Sequence, residues 1–539
     1  MDEGTLRPFL PDCSPRIPLG LPRETRSLCP ECLATLPARL EVRDGQVWMT
    51  KRCKDHGPCE DLIASDAELF LRFERYAFED SARIETHYAQ DPERCPAGCG
   101  LCPGHLSSAS LTNLDLTNRC NLRCPFCFAN ANIQPYVYEP SEDQIREMMD
   151  RALNVRPRRL QAIQFSGGEP TLSPHFVAAC AMAKARGLRM IQAATNGIRF
   201  AREPELAMRA AEAGLNAAYL QFDGVGDEVY EITRGVKGLW ELKLKALEAC
   251  RAAGIRVTLV PTLVKGINDH QVGEILKFAA AHMDAVVAVS FQPVSFTGRI
   301  DARERLAQRY TVTDIPLDVE RQSGLLRARE DWYPLSIIAP FAEVADNVMG
   351  PDANGFSAMH CNSHPDCGCS AYLLVNQRTG ETAPLGRVFD LDLALRMVSD
   401  LAKKTRPRAS RLYGSAMFLR LLLKSYRRGR AGGPSLAQLT RTIDAISGGR
   451  VLGIARKRRY EWRLMLINSM HFQDAYNYQV DRVRRCTIHY SAPDGRLYPF
   501  CTYDSGCGFR HPIEAAHSVP KAQWLSARGG QYVTEGFEG

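Results

Sequence analysis

The sequence predicts an α/β protein: a parallel sheet, open or curled into a partial (β/α)6 barrel, with a cysteine-rich N-terminal metal module and an α-rich C-terminal extension. Three observations carry this. From about residue 112, β-rich runs alternate with amphipathic helical runs through six repeats at roughly 30-residue spacing, the pattern of βαβ units. Polar residues gather where those runs end, at Ser166-Gly167-Gly168-Glu169, Thr195-Asn196-Gly197, Asp223-Gly224 and Gln292-Pro293. In parallel α/β folds ligands bind at the carboxyl ends of strands, so the four clusters are expected to face one site. Finally, the 19 cysteines are grouped rather than scattered, which shapes the reading of both flanks.

The expected strands are 111–117 (LTNLDLT), 160–167, 189–197, 216–224, 255–264 and 285–294, with helices over 141–153 and 239–254 between them. At 539 residues the chain exceeds one ordinary core, and two or three domains are expected. The divisions read are 1–105, 106–300 and 301–539. No stretch has the roughly 20 uninterrupted apolar residues of a membrane span. The start MDEGTLRPFLPDCSP lacks a signal-peptide core, so a cytoplasmic protein is expected. Disulfides belong to small secreted chains. Close-spaced cysteines in a large cytoplasmic chain read as metal sites instead, while Cys180 and Cys250, in helix-like runs, read as buried filler.

The central group, Cys120, Cys124 and Cys127, has C-x3-C-x2-C spacing directly after the first strand. A closed zinc site needs four ligands, and His105 could serve as the fourth of a zinc knuckle. Three thiolates on a [4Fe–4S] cube would leave one iron open to an outside ligand. Motif and placement together resemble the radical S-adenosylmethionine (SAM) enzymes. That resemblance implies that SAM chelates the open iron, and that its reductive cleavage yields a 5′-deoxyadenosyl radical. It also implies roles for the companions: Phe126 in C-x-Φ-C, Ser166, Gly167, Gly168 and Glu169 at the methionine amino group, and Gln221 or Asp223 at the ribose. Thr195, Asn196, Pro261 and Thr262 would line the adenine and ribose.

Further stretches, at 29–57, 95–105, 361–368 and 489–503, resemble a radical SAM subfamily that includes the archaeal tetraether lipid synthase. The resemblance implies a rubredoxin-like metal site, auxiliary [4Fe–4S] clusters, and C–C bond formation between lipid tails. An electron donor such as ferredoxin or flavodoxin is implied too. Read by itself, the first stretch is C-x2-C…C-x2-H (Cys29, Cys32, Cys53, His56), a closed site for Zn or Fe with Cys59 as a rival fourth ligand. Cys95, Cys99 and Cys102 repeat the central spacing without its companions and read as an auxiliary cluster. Relatives carry a fourth cysteine where this chain has Ser110; Cys13 or Cys59 is available instead, or an iron is open, or the cluster is absent. Cys361, Cys367, Cys369, Cys486, Cys501 and Cys507 offer six thiolates. Cys361, Cys367, Cys486 and Cys501 are the expected ligands of one cluster, a clasp over the mouth of the barrel.

The net charge of +7 hides a block at 401–460 with sixteen Lys/Arg and one acid. Within it, MFLRLLLKSYRRGR (417–430) reads either as a packed helix with solvated cations or as an interfacial helix on anionic lipid. No base-reading motif accompanies it, so no nucleic-acid partner is expected. A lipid tail would call for an apolar tunnel, walled by 295–360 (especially WYPLSIIAPF, 332–341) and by 410–425. The alternatives are a radical SAM enzyme acting on a peptide or small metabolite, and a non-catalytic iron–sulfur electron-transfer protein.

Overall fold

The computed structural model describes residues 6–13, 17–79, 84–349, 360–405, 411–427, 433–446, 461–506 and 508–527. Expectations for Cys507, the side chain of Cys13 and, within the basic block, residues 406–410, 428–432 and 447–460 lie outside the described residues.

The first unit is an antiparallel sheet of β1 (Arg23–Leu28), β2 (Thr35–Arg43), β3 (Gln46–Cys53) and β4 (Gly57–Ala64), paired in that order. The β2–β3 hairpin turns on Asp44-Gly45, with φ of 50° and 75°. Positive φ at both turn positions matches a two-residue turn to the right-handed twist of its strands. Leu40, Val47, Met49, Ile63 and Phe70 form a core of its own. The cysteine-rich metal module is thus a folded sheet with its own core. Charged residues interrupt every apolar pair in TLPARLEVR, but alternation suffices once four strands share one face. Residues 84–110 contain no helix or strand.

The main sheet uses β5 (Leu111–Thr117), β7 (Ala162–Gly167), β8 (Met190–Thr195), β9 (Ala217–Gln221), β10 (Arg256–Val260), β11 (Thr262–Leu263) and β12 (Val286–Pro293); the short β6 (Tyr136–Val137) stands apart. It continues through β13 (Tyr333–Pro334), β14 (Gly368–Asn376), β15 (Thr382–Pro384), β16 (Trp462–Met470), β17 (Ile488–Ser491) and β18 (Leu497–Pro499), while β19 (Val519–Pro520) pairs with β6. The order is β13-β14-β16-β12-β10-β9-β8-β7-β5-β17-β18, with β11 on β12 and β15 on β14. All six expected strands are present, and Pro261 splits the fifth into β10 and β11. Ser141 caps the helix Glu142–Leu153 and forms a capping box with Gln144, which fixes where that helix starts.

The parallel run is longer than expected, because β16 joins β12 and β17 joins β5, both parallel. The C-terminal region is therefore not simply α-rich. Beside the helices Leu391–Lys404, Arg411–Ser425 and Leu436–Ile446 it supplies strands to both ends of the sheet, and a division at residue 300 cuts through that sheet. The two ends also approach each other: Cys361, ahead of β14, has its Sγ 3.9 Å from Thr487 Oγ1, just ahead of β17. The sheet is thus curved.

Leu114, Ile163, Phe165, Ile191, Leu220, Leu259 and Val289 belong to the main core, on the helix side of the sheet. The alternate positions are polar. Gln192 donates to Gln164, Tyr219 OH lies 2.7 Å from Ser290 Oγ, and Gln292 Nε2 donates to Tyr219 OH at 2.9 Å. The apolar tunnel wall expected from WYPLSIIAPF is also corrected. Tyr333, Ile337 and Ala339 pack with Phe9, Tyr76, Phe78 and Leu395 in a closed core, and Trp332 is fully buried.

Candidate active site and metal centres

Cys120, Cys124 and Cys127 follow β5 on one loop at the carboxyl edge of the sheet. Asn132 clamps that loop: its Oδ1 accepts from Cys120 N at 3.0 Å, and its Nδ2 donates to the carbonyls of Cys120 and Leu122. Leu122 N points at Cys120 Sγ, 3.4 Å away. Burial pushes the Cys120 thiol far up, with Cys124 and Glu169 adding to it, and burial pushes Cys124 up as well. Such thiols ionise only when a cation replaces their protons. A donor set of two buried sulfurs and the half-buried Cys127 on one clamped loop therefore fits an iron cluster held through three thiolates.

Gly167 and Gly168 close over the start of this loop. Gly168 N donates to Thr117 O and Glu169 N to Arg119 O, both at 2.8 Å. A Cβ on Gly167 would sit 2.1 Å from Thr117 O, and one on Gly168 2.3 Å from Arg119 O. Only glycine fits either position. Glu169 is buried and used internally, accepting from Thr171 Oγ1 at 2.6 Å, Thr195 Oγ1 at 2.8 Å and Asn196 N at 2.8 Å. It ties the SGGEP turn to the end of β8. Asn196 Nδ2 then donates to Asn121 Oδ1 at 2.6 Å and lies 3.9 Å from Cys120 Sγ. Two of the sequence-read clusters, at 166–170 and 195–197, thus meet at the cysteine loop.

Asp223 is not free for a ribose. Its carboxylate accepts from Arg234 Nε and Nη2 (2.5 and 2.8 Å), Thr233 Oγ1 (2.8 Å) and Thr262 N (3.1 Å). Burial opposes its charge, but Arg234 outweighs burial and holds it below its ordinary range. Arg234 also donates to Phe126 O at 3.2 Å and faces Cys124. Gln221 is placed differently: its Oε1 accepts from Lys243 at 2.6 Å, while its Nε2 has no partner among the described residues. Phe126 and Pro125 border an open cavity of about 370 Å³ with Arg299, Asp301, Glu304 and Gln308.

Several of these residues escape sequence reading. Lys243 is fully buried, donates to Asn196 O and Gln221 Oε1 (2.6 Å each), and is pushed down to about 7 by burial. A signal existed: it stands four residues after Leu239, on the buried stripe of its helix. Arg299 donates to Cys124 O at 3.2 Å, and Gly298, at φ +67°, leaves no room for a Cβ against Cys127 O at 2.4 Å. Nothing local in TGRI announces either role.

A charged hub touches Ser166 from the other side. Ser166 Oγ donates to Asp115 (2.7 Å), and Arg510 pairs with Asp115 (2.8 Å), Asp504 (2.6 Å) and Glu514 (3.4 Å) and donates to Tyr490 OH (3.0 Å). One guanidinium serves three buried carboxylates, and burial pushes Asp504 and Glu514 each up to about 7. Unfolded, both titrate near 4, so between about pH 4 and 7 the folded chain binds more protons. Stability should therefore fall as pH rises through that window, by up to about 1.4 kcal/mol per pH unit for each acid. Asp504→Asn should flatten the fall between pH 5 and 7, measured by denaturant unfolding. Wild-type and variant curves with the same pH slope would contradict this.

In the N-terminal unit, the ligand atoms of Cys29, Cys32, Cys53 and His56 all lie within 4.8 Å of one another. Cys32 and Cys53 sulfurs are 3.9 Å apart, and His56 Nδ1 is 3.6 Å from Cys29 Sγ and 3.5 Å from Cys53 Sγ. A tetrahedral ion with bonds of about 2.3 Å to sulfur and 2.05 Å to nitrogen needs edges of roughly 3.5–3.8 Å. Leu33 (φ 59°) and Gly57 (φ 77°) supply the two knuckle turns. Cys59 is outside the four; it lines a neighbouring cavity of about 310 Å³ with Arg305 and Tyr476. The unit is fixed to the main sheet by Lys51, which donates to the carbonyls of Ala475 and Tyr476, and by Asp61 with buried Arg309, itself 2.7 Å from Asp474.

Cys95, Cys99 and Cys102 are all buried. Ser110 does not turn to them: its hydroxyl donates to Thr487 O at 3.1 Å. His105 lies against His489 (Nε2–Nε2 3.2 Å) and Cys486 O (2.9 Å), away from the central loop. Cys361, Cys367, Cys486 and Cys501 draw together. Cys361 and Cys367 feel each other's charge, as do Cys486, Cys501 and Cys367. Among the described residues their sulfurs form no tight single-ion group of the kind the N-terminal unit has. Cys369 belongs to the main core and points at Val312 O.

The central site and the sheet define a radical SAM enzyme. The family model of the radical SAM superfamily matches residues 114–279, and that of the HMPTM N-terminal zinc ribbon domain matches 21–65. The chain therefore joins SAM and [4Fe–4S] chemistry to a further metal site. It is 37% identical over 512 residues to the 7,8-dihydro-6-hydroxymethylpterin dimethyltransferase of Methanocaldococcus jannaschii, covering 93% of this chain and 97% of that protein. The chain belongs to the family of that enzyme. It is also 29% identical to the Fe-coproporphyrin III synthase of Methanosarcina barkeri, over 50% of this chain and 64% of that one. Among solved structures, methylornithine synthase aligns with 40% of this chain and 63% of its own at 14% identity and a TM-score of 0.31. The expected subfamily is thus replaced, as a finding, by the superfamily and this full-length relative.

Proposed function

We propose that the chain generates a 5′-deoxyadenosyl radical and uses it to abstract hydrogen from an unactivated sp3 carbon, where a new carbon–carbon bond then forms. The observation that carries this is the convergence of the clamped three-cysteine loop with Gly167, Gly168, Asn196 and Gln221. Cys120, Cys124 and Cys127 would hold the cluster, which when bound supplies the electron that cleaves SAM. Gly167 and Gly168 would admit the methionine part, and Thr195 would line the nucleoside. Gln221, with a free amide N–H, is the better ribose partner. Asp223 instead orients Arg234 and the backbone of Thr262, and Pro261 and Phe126 would flank the nucleoside. Cys95, Cys99 and Cys102, and separately Cys361, Cys367, Cys486 and Cys501, would hold auxiliary clusters. A ferredoxin or flavodoxin would reduce the protein, in the cytoplasm.

Two substrate classes rest on different observations. The polar strand face of Gln164, Gln192, Tyr219 and Gln292, together with the full-length relative's name, favours a small polar ring such as a reduced pterin, methylated by the enzyme. The helix Arg411–Ser425 favours a lipid tail: Tyr413, Leu419 and Leu423 are 46%, 38% and 44% exposed, beside exposed Arg420 and Lys424. An apolar surface flanked by cations suits an anionic membrane. Reduced enzyme with SAM should be offered the dihydropterin or anionic phospholipid vesicles, and products read by mass. A mass gain of methyl groups on the pterin selects the first reading. Coupled lipid tails, together with vesicle binding lost in Leu419→Asp/Leu423→Asp, select the second. If 5′-deoxyadenosine forms and neither compound changes, both substrates fall.

A further inference from the structure

Arg482 sits in the short helix Val480–Val483, 3% exposed. A guanidinium keeps its charge throughout the pH range of proteins, and a buried charge needs a compensating one. Among the described residues no carboxylate reaches ion-pair distance of it. Asp366 is the acid whose charge it feels, but that carboxylate is engaged by Arg23 at 2.7 Å. Arg482 donates to His471 O and its Nε has no partner among the described residues. His471 N donates to Cys367 O at 2.9 Å, Cys486 N to Val483 O at 3.0 Å, and Val480 and Val483 pack with Cys501, so the charge sits among these cysteines and is felt by Cys367 and Cys501. With four neutral thiols this cation would have only Asp366, shared with Arg23, to offset it. Four thiolates on a [4Fe–4S]²⁺ core carry a net charge of 2−, and 3− after one-electron reduction.

We infer that Arg482 is the counter-charge of an anionic metal–thiolate cluster at Cys361, Cys367, Cys486 and Cys501, and that it sets the reduction potential of that cluster. The inference rests on the reading of those cysteines as cluster ligands. A fixed buried cation stabilises the reduced, more negative form more than the oxidised one. Arg482 therefore raises the potential, and it does so as a positioning charge that touches no substrate.

The test uses full-length protein carrying Cys120→Ala, Cys124→Ala and Cys127→Ala, so that the catalytic cluster adds no signal. Cys486→Ser in this background should remove iron and one electron paramagnetic resonance signal, which identifies the C-terminal cluster. Arg482→Gln should move the midpoint of that signal to a more negative potential, and Arg482→Lys should leave it near the parent value. Iron lost in Arg482→Gln but kept in Arg482→Lys would equally support a charge role. An unmoved midpoint in Arg482→Gln, an equal shift in Arg482→Lys, or iron lost from both overturns the inference. Unchanged iron in Cys486→Ser instead overturns the ligand reading beneath it.

Discussion

Cys124→Ala is expected to reduce 5′-deoxyadenosine release from SAM to background, while the N-terminal metal and the iron of the other cysteine groups remain. Three sulfurs are the fewest that can hold a cube with one iron open, so loss of one removes either the cluster or its geometry. The substitution should leave the fold intact. Cys124 lies at the edge of a small apolar group with Leu122, Ile198 and Tyr230, and the loop is fastened by backbone contacts of Asn132 and Arg299 that the thiol does not make. The measurement is anaerobic turnover with dithionite, alongside iron and zinc per chain. Continued release by a fully loaded variant would show that the radical arises elsewhere.

The second large effect is on stability. Cys32→Ser should remove about one metal ion per chain and unfold the N-terminal unit. A structural zinc site contributes on the order of 10 kcal/mol to folding, comparable with the whole stability of a domain, roughly 5–15 kcal/mol. The core of eight buried residues around Leu40 and Met49 is small, so it cannot hold the strands alone. Loss of the unit would also strip Arg309 of Asp61 and Lys51 of its setting. His56→Ala should match Cys32→Ser, whereas Cys59→Ala should keep its metal, because only His56 lies within ligand range of the other three. A soluble Cys32→Ser protein with normal metal content would contradict a structural role.

What could be read from the sequence follows from which signals are local. The strands β5 and β7 to β12 were legible because they form buried apolar runs followed by polar turns, repeated six times. The cysteine loop and SGGEP were legible because their chemistry demands fixed spacing. β16 and β17 were not, since their parallel partners lie more than 170 residues away and the basic block interrupts the period. Asp223 was read as a ligand-facing acid because no local feature shows that Arg234, eleven residues on, would return to it. Lys243 could have been found: a lysine on an otherwise apolar helical stripe must either break the stripe or reach a buried acceptor, and it reaches two. The Arg510 hub joins residues from 115 to 514, and only the fold brings them together.

The central claim is that one iron of the Cys120, Cys124, Cys127 cluster is left open to SAM. The measurement is electron–nuclear double resonance on the anaerobically reduced protein, with SAM carrying ¹⁵N in its methionine amino group. A nitrogen coupling to the cluster, absent without SAM and absent in Cys124→Ala, is the predicted result. A reduced cluster whose spectrum is unchanged by SAM, with no ¹⁵N coupling, would contradict it.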